Sequence, residues 1–295
     1  MKKDKNISNK ENGLIIKKMA DKFWIDAPSG VVICTARGNL KENGVFVGDK
    51  VCFSLDELNI EKVFERRNLL IRPQMANLCQ LFIVVSCEPA PDFLMLDKMI
   101  IFCLTNGIEP IILLNKIDKS NKHQNYLENV YSKHFKFIAV SAHNKQNVEE
   151  IKNLLKNNIS AFAGQSGVGK SALINAIFGD ETTKEGYLSA KITRGKNTTR
   201  HVSLYKLSPK TYIADTPGFS ALDEKLLPIN ENQLPYYYPE FLPLLKECKF
   251  KSCLHYKENI KDCAVKRALE SGEVDKERYN RYITILNSLK EKLPY

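Results

Sequence analysis

The chain has 295 residues, enough for two or three domains, and 43% of them are hydrophobic, which excludes a disordered polypeptide. Its formal net charge of +10 suits an anionic partner such as RNA, although a lysine-rich composition alone also produces it. No apolar run reaches the ~18 residues that span a membrane, and the polar N-terminus MKKDKNISNKEN lacks the apolar stretch of a secretory signal and reads as a frayed tail.

Residues 1–67 form the first predicted domain. Between residues 13 and 67 the segments GLIIKKM, KFWIDA, GVVICTAR, KVCFSL and NIEKVFER are β-rich and separated by turn residues. Five short strands in so little chain predict an OB-like closed barrel. Arg37, Lys41, Arg66 and Arg67 with Phe23, Trp24 and Phe46 have two readings. Either they form a stacking and charge surface for nucleic acid, or the aromatics fill the barrel and the charges are solvated.

Residues 68–225 alternate strands with helices, the pattern of an α/β domain with a largely parallel sheet. Strands are expected at residues 81–86, 111–114, 137–140, 159–163, 202–207 and 211–214. Helices are expected from PAPDF to about residue 106, near 124–134 and 147–157, and over 171–178. Prolines then accumulate (Pro228, Pro235, Pro239, Pro243) and mark a boundary. The last domain, 226–295, ends in two helices, at 264–270 and after Asp275. Tyr279, Tyr282, Ile283, Leu286 and Leu289 share one face of the second.

Four motifs follow predicted strands. Gly164-Gln165-Ser166-Gly167-Val168-Gly169-Lys170-Ser171 matches G-x-x-x-x-G-K-[ST], a loop whose backbone N–H groups cradle phosphates, with Ala172 next in the helix it opens. Lys170 reaches the β- and γ-phosphates, and Ser171 ligates Mg²⁺. Asn115-Lys116-Ile117-Asp118 resembles the guanine-reading N-K-x-D motif of GTPases, which implies that the Asp118 carboxylate accepts both N–H groups of guanine's edge. Asn115 bonds the other edge or ties the loop together, and the Lys116 stem covers the base. Ser141-Ala142 follows the next strand, where an S-A pair in GTPases offers backbone N–H to the guanine O6. Asp215-Thr216-Pro217-Gly218 resembles the D-x-P-G motif of GTPases, which implies that Asp215 holds Mg²⁺ through water and the Gly218 N–H touches the γ-phosphate.

Thr198 and Thr199 resemble switch threonines, one of which completes the Mg²⁺ shell; the sequence does not say which. Ordinary GTPases run P-loop, Thr, D-x-P-G, N-K-x-D, S-A. This chain runs N-K-x-D, S-A, P-loop, Thr, D-x-P-G, a circular permutation that keeps the cyclic order. It leaves the core just after Asp215, so nucleotide state is expected to move the C-terminal domain.

Of 8 cysteines, Cys34, Cys52, Cys79, Cys87 and Cys103 lie in apolar runs and read as buried thiols. Cys248, Cys253, His255 and Cys263 form C-x4-C-x-H-x7-C, a donor set for one closed, structural Zn²⁺. Such thiols suit a reducing, cytoplasmic compartment.

The barrel, the permuted motifs and the Cys/His cluster together resemble the RsgA (YjeQ) family of small-ribosomal-subunit-dependent GTPases, over nearly the whole chain. The resemblance implies GTP hydrolysis to GDP stimulated by the 30S subunit, a role in its late maturation, and contact of barrel and zinc domains with 16S rRNA. It also implies Asn197 at the place of the family's water-activating His. An amide is no general base near neutral pH, and Phe219 stands where many GTPases keep a water-orienting Gln. His201, four residues on, is a substitute candidate, but it reads more readily as a surface histidine entering a strand. No oligomer interface is evident, so a monomer is expected. Two other readings stay open: a nucleotide-gated RNA-binding placeholder, and a GTPase acting on the large subunit or tRNA.

Overall fold

The computed structural model describes residues 9–38, 40, 44–179, 202–215 and 227–291. The chain divides into two compact units, one of Met1–Leu81, Val148–Phe162 and Leu173–Phe219, the other of Phe82–Asn147, Ala163–Ala172 and Ser220–Tyr295.

In the first unit, β1 (Lys10–Met19), β2 (Lys22–Ala27), β3 (Gly30–Ala36), β4 (Lys50–Ser54) and β5 (Asn59–Val63) form the expected barrel. Its order is β1-β2-β3-β5-β4, and β4 closes back on β1. Alternation drives the closure. Phe23 and Ile25 of β2 and Val51 and Phe53 of β4 point inward and are buried. β1 breaks the alternation, with Leu14 and Ile15 both buried, and its register against β2 shifts after Ile15.

The aromatic and basic residues of the barrel divide between the two readings. Phe23 is buried in the interior. Arg66 donates to the fully buried Asp49 carboxylate at 2.7 and 2.9 Å and lies over the Phe46 ring, so it is structural. Arg37 pairs with Glu57 at the surface. Trp24 stays half-buried beneath the Lys17 ammonium. Lys41 lies outside the described residues.

A small hairpin, β6 (Leu69–Leu70) with β7 (Met75–Ala76), follows the barrel. β8 (Gln80–Ser86), α1 (Phe93–Thr105), β9 (Glu109–Asn115), α2 (Gln124–Val130), β10 (Lys136–Val140), α3 (Val148–Leu155), β11 (Ile159–Ala163) and α4 (Lys170–Phe178) then alternate, followed by β12 (Ser203–Ser208) and β13 (Thr211–Asp215). β9 and β10 pair parallel, as do β11 and β13, whereas β12 runs antiparallel to β13. Strands β8, β9 and β11 are buried almost throughout, as a parallel sheet covered on both faces requires. The helix expected near 124–134 ends at Val130, because Tyr131 turns inward and gives its hydroxyl to Asp97.

In the second unit the C-terminal chain folds through short 3-10 turns into α5 (Ala264–Ser271) and α6 (Lys276–Lys290). Asp275 caps α6 by accepting from the Arg278 N–H, as expected. Its buried face holds Tyr279, Tyr282, Leu286 and Leu289 but takes Ile285 in place of the expected Ile283, which is half-exposed. The helix is turned because Arg278 is itself buried. Its guanidinium donates to Asp97 of α1 and to Glu240, and Arg281 donates to the other Asp97 oxygen. Of the five lone cysteines, Cys34 and Cys103 are buried while Cys52, Cys79 and Cys87 are only partly so.

Asp97 is thus one carboxylate shared by two guanidinium groups and the Tyr131 hydroxyl. Removing one partner of a buried ion pair strands the rest in a poor solvent. Asp97→Ala is expected to cost about 3–5 kcal/mol, read as a lower midpoint in urea unfolding followed by circular dichroism.

Candidate nucleotide site and metal centre

The phosphate loop is shaped by contacts that leave no room for side chains. Gly164 has φ of +135°, and a Cβ there would lie 2.1 Å from the Val84 carbonyl oxygen. Gly169 has φ of +94°, and its Cβ would meet the Asn115 amide at 2.4 Å. Val168 is fully buried between them and anchors the loop, while Ser166 and Gly167 face solvent. α4 starts at Lys170, so its N-terminal dipole is directed at the loop. Ser171 and Ala172 are exposed at its first turn. The Lys170 ammonium donates to the Gly164 and Gln165 carbonyls at 2.7 and 2.6 Å, and partial burial lowers its pKa.

Asn115 and Lys116 of the N-K-x-D sequence reach this loop. Asn115 ends β9 and is buried. Its Nδ2 donates to the Val168 carbonyl at 3.0 Å, and its Oδ1 accepts the Ala142 N–H at 3.2 Å. Of the two roles open to it, tying the loops together is the one this geometry builds. Lys116, in a left-handed conformation, donates to the carbonyls of Gly167 and Glu88, both at 2.6 Å. Asp118 accepts from the Ser141 hydroxyl, and that bond holds its carboxyl below the usual carboxylate range. It is therefore ionised at neutral pH. The Ala142 N–H, expected at the guanine O6, serves Asn115 here.

Gln165 accepts the Asp92 N–H at 3.2 Å and so joins the phosphate loop to the cap of α1. Motif reading gave no hint of this contact or of the Glu88 carbonyl. Asp215 sits at the end of β13, as expected for a residue following a buried strand. Asn197, Thr198, Thr199, His201, Gly218 and Phe219 lie outside the described residues.

The second site is equally local. One donor atom each of Cys248, Cys253, His255 and Cys263 lies within 4.8 Å of the others. The His255 Nδ1 stands 3.7, 3.2 and 3.4 Å from the three sulfurs. That spacing suits the edges of a tetrahedron with Zn–S near ~2.3 Å and Zn–N near ~2.0 Å. Burial pulls the His255 pKa down to about 4, which keeps the imidazole neutral and able to act as a ligand.

The supporting shell escaped the sequence reading. The Glu258 carboxylate accepts the Leu254 and Tyr256 N–H groups, and the Tyr279 and Tyr282 hydroxyls donate to the His255 and Leu254 carbonyls. These hold His255 in its left-handed turn. A glutamate three residues past the histidine and tyrosines on the inner face of α6 were the available signals.

Residues 63–225 match the RsgA GTPase family model. The chain belongs to the RsgA GTPase family. Relatives named "Small ribosomal subunit biogenesis GTPase RsgA" from Ruminiclostridium cellulolyticum and Caldanaerobacter subterraneus subsp. tengcongensis are 38% and 39% identical. The alignments cover 95% of this chain and 94% and 96% of theirs. Two solved structures share its fold. YjeQ from Thermotoga maritima superposes with a TM-score of 0.82 at 29% identity, covering 96% of this chain and all of that one. YloQ, described as a circularly permuted GTPase, gives 0.78 at 30% identity over 100% of this chain and 99% of its own.

As an RsgA family member the chain is a hydrolase acting on GTP, and the family implies Mg²⁺ with the nucleotide. The Cys/His cluster is consistent with one zinc site.

Two measurements test these sites. Asp118→Asn replaces an acceptor with a donor, so GTP affinity should fall about 100-fold, the worth of one strong charge-assisted bond, while xanthine nucleotide, with a carbonyl at C2, should gain. Titration with fluorescent analogues of both reads the exchange. Metal analysis of the purified chain should find one zinc, and Cys253→Ser should lose it together with the near-ultraviolet dichroism of the tyrosines around His255.

Proposed function

We propose that the chain is a Mg²⁺-dependent GTPase that binds the 30S ribosomal subunit and assists its late maturation. It contacts 16S rRNA through the barrel and the zinc module, and the particle stimulates its hydrolysis of GTP to GDP. The observation that carries this reading is the Asn115 brace between the phosphate loop and the Ser141-Ala142 loop, in a chain whose family is already named for the small subunit. The net charge of +10 supports an RNA partner.

In this reading Asn115, Lys116, Asp118, Ser141 and Ala142 form the guanine side. Gly164 to Ala172 and Gly218 hold the phosphates. Ser171, Asp215 and one of Thr198 and Thr199 bind Mg²⁺, and Lys170 stabilises charge on the transferring phosphoryl group. Cys248, Cys253, His255 and Cys263 hold a structural zinc. The protein acts as a cytoplasmic monomer with domains 1–67, 68–225 and 226–295. No described helix is long and apolar enough to cross a membrane.

Asn197 can orient water by hydrogen bonding but cannot take its proton, so intrinsic turnover is slow and the particle supplies the rest. Single-turnover hydrolysis with and without purified 30S subunits tests this. The expected result is a roughly tenfold or larger acceleration, at least about 1.4 kcal/mol off the barrier. Binding without acceleration would instead make the chain a nucleotide-gated placeholder on RNA. Co-sedimentation of the GTP-analogue form with large subunits or tRNA instead would move the partner.

A further inference from the structure

The C-terminal helix α6 places one side chain between the two helices that leave the nucleotide loops. Every residue of this joint lies in the second unit. The Arg281 Nε donates to an Asp97 oxygen of α1, and its Nη2 donates to the Tyr126 and Tyr131 hydroxyls at 2.9 and 3.1 Å. The same guanidinium lies over the rings of Phe93 and Tyr126, 5.5 and 5.9 Å from their centroids. Each hydroxyl is used twice. Tyr131 also donates to Asp97, and Tyr126 donates at 3.0 Å to Asp275, the cap of α6. Only 13% of the Arg281 side chain is exposed, so these bonds form where water competes little.

Two of the partners stand in the first turns of helices that begin at the nucleotide loops. Phe93 opens α1. Asp92, just before it, caps α1 with its carboxylate and gives its N–H to the Gln165 side chain of the phosphate loop at 3.2 Å. Tyr126 lies in the first turn of α2, the helix that follows the Asp118 loop. Phe93 and Tyr126 meet edge to face, with centroids 4.9 Å apart. The helix behind the phosphate loop and the helix behind the guanine-side loop thus touch at one aromatic pair, which Arg281 covers and ties to Asp97. The task needs a planar fork. A lysine ammonium is a point charge and cannot hold three acceptors in these separate directions while lying over two rings.

We infer that Arg281 is a positioning residue for guanine-nucleotide binding, fixing the first turns of α1 and α2 and through them Gln165 and the loop that carries Asp118. It acts through Phe93 and Tyr126. Tyr279 and Tyr282 of the same helix hold the His255 and Leu254 carbonyls, so the Cys/His module and the nucleotide loops are braced by one helix. Coupling between binding sites is reciprocal, and bound nucleotide must in turn steady α6. GTP binding by the family is all this requires; the identity of the particle plays no part.

The test compares the full-length wild type with Arg281→Lys, Tyr126→Phe and Leu289→Val. Arg281→Lys keeps the charge beside Asp97 and loses the fork. Tyr126→Phe keeps the ring against Phe93 and loses only the hydroxyl, so it decides the matter if the first variant does not fold. Leu289 is buried about two turns further along α6, and its variant is the stability control. Titrations with fluorescent GDP and a non-hydrolysable GTP analogue, run below every melting point, give affinities. Hydrogen exchange of residues 276–286 with and without GDP reads the reverse direction. Both joint variants should bind both nucleotides about 5- to 20-fold more weakly, the lower part of the range for coupled sites. Leu289→Val should melt lower and bind as the wild type does. GDP should slow exchange across 276–286 in the wild type and lose most of that effect in Tyr126→Phe. Affinity that simply follows melting temperature across the three variants would make Arg281 a packing residue and overturn the proposal. So would wild-type affinity in both joint variants, or wild-type exchange in α6 that ignores GDP.

Discussion

Asn115 is the contact on which the nucleotide site depends. Its amide is buried and used at both ends, on the Val168 carbonyl and the Ala142 N–H. A primary amide carries a donor and an acceptor on one rigid plane, so no other side chain of its size makes both bonds without turning. Leucine or aspartate would leave a buried backbone group unpaired, which costs roughly 1–3 kcal/mol. The same side chain dictates glycine at position 169, where a methyl group would collide with its nitrogen. Three loops far apart in the chain are thereby locked to one another by two hydrogen bonds and one steric exclusion. Lys116 repeats the principle one residue later, with its ammonium shared between the Gly167 and Glu88 carbonyls.

This dependence explains why permutation is harmless. The N-K-x-D, S-A and P-loop motifs each sit where a strand ends, and the strands are held by their own apolar content. The loops meet through side chains rather than through chain continuity. Cutting the cyclic order elsewhere changes which strand is first, not which loops face each other.

The motifs and the barrel were legible because their signals are local. A P-loop needs glycines at fixed spacing, and a small barrel needs short alternating strands. What was not legible is long-range pairing. Asp97 lies with Lys98 in the otherwise apolar run FLMLDKMIIFCL, and nothing near it in sequence announces Arg278 and Arg281, more than 180 residues on. The periodicity of α6 likewise favoured Ile283. A buried arginine that needs its carboxylate outweighs one isoleucine and turns the helix toward Ile285. The Cys/His ligands were readable from spacing, but Glu258, Tyr279 and Tyr282 act on backbone groups and leave no such signature.

The excess of lysine and arginine resolves into different uses once partners are known. Arg66 is spent on buried Asp49, Arg278 and Arg281 on buried Asp97, and Lys116 and Lys170 on the carbonyls of the nucleotide loops. Those cations are spent on partners within the fold, so composition alone does not say how much charge an outside partner meets.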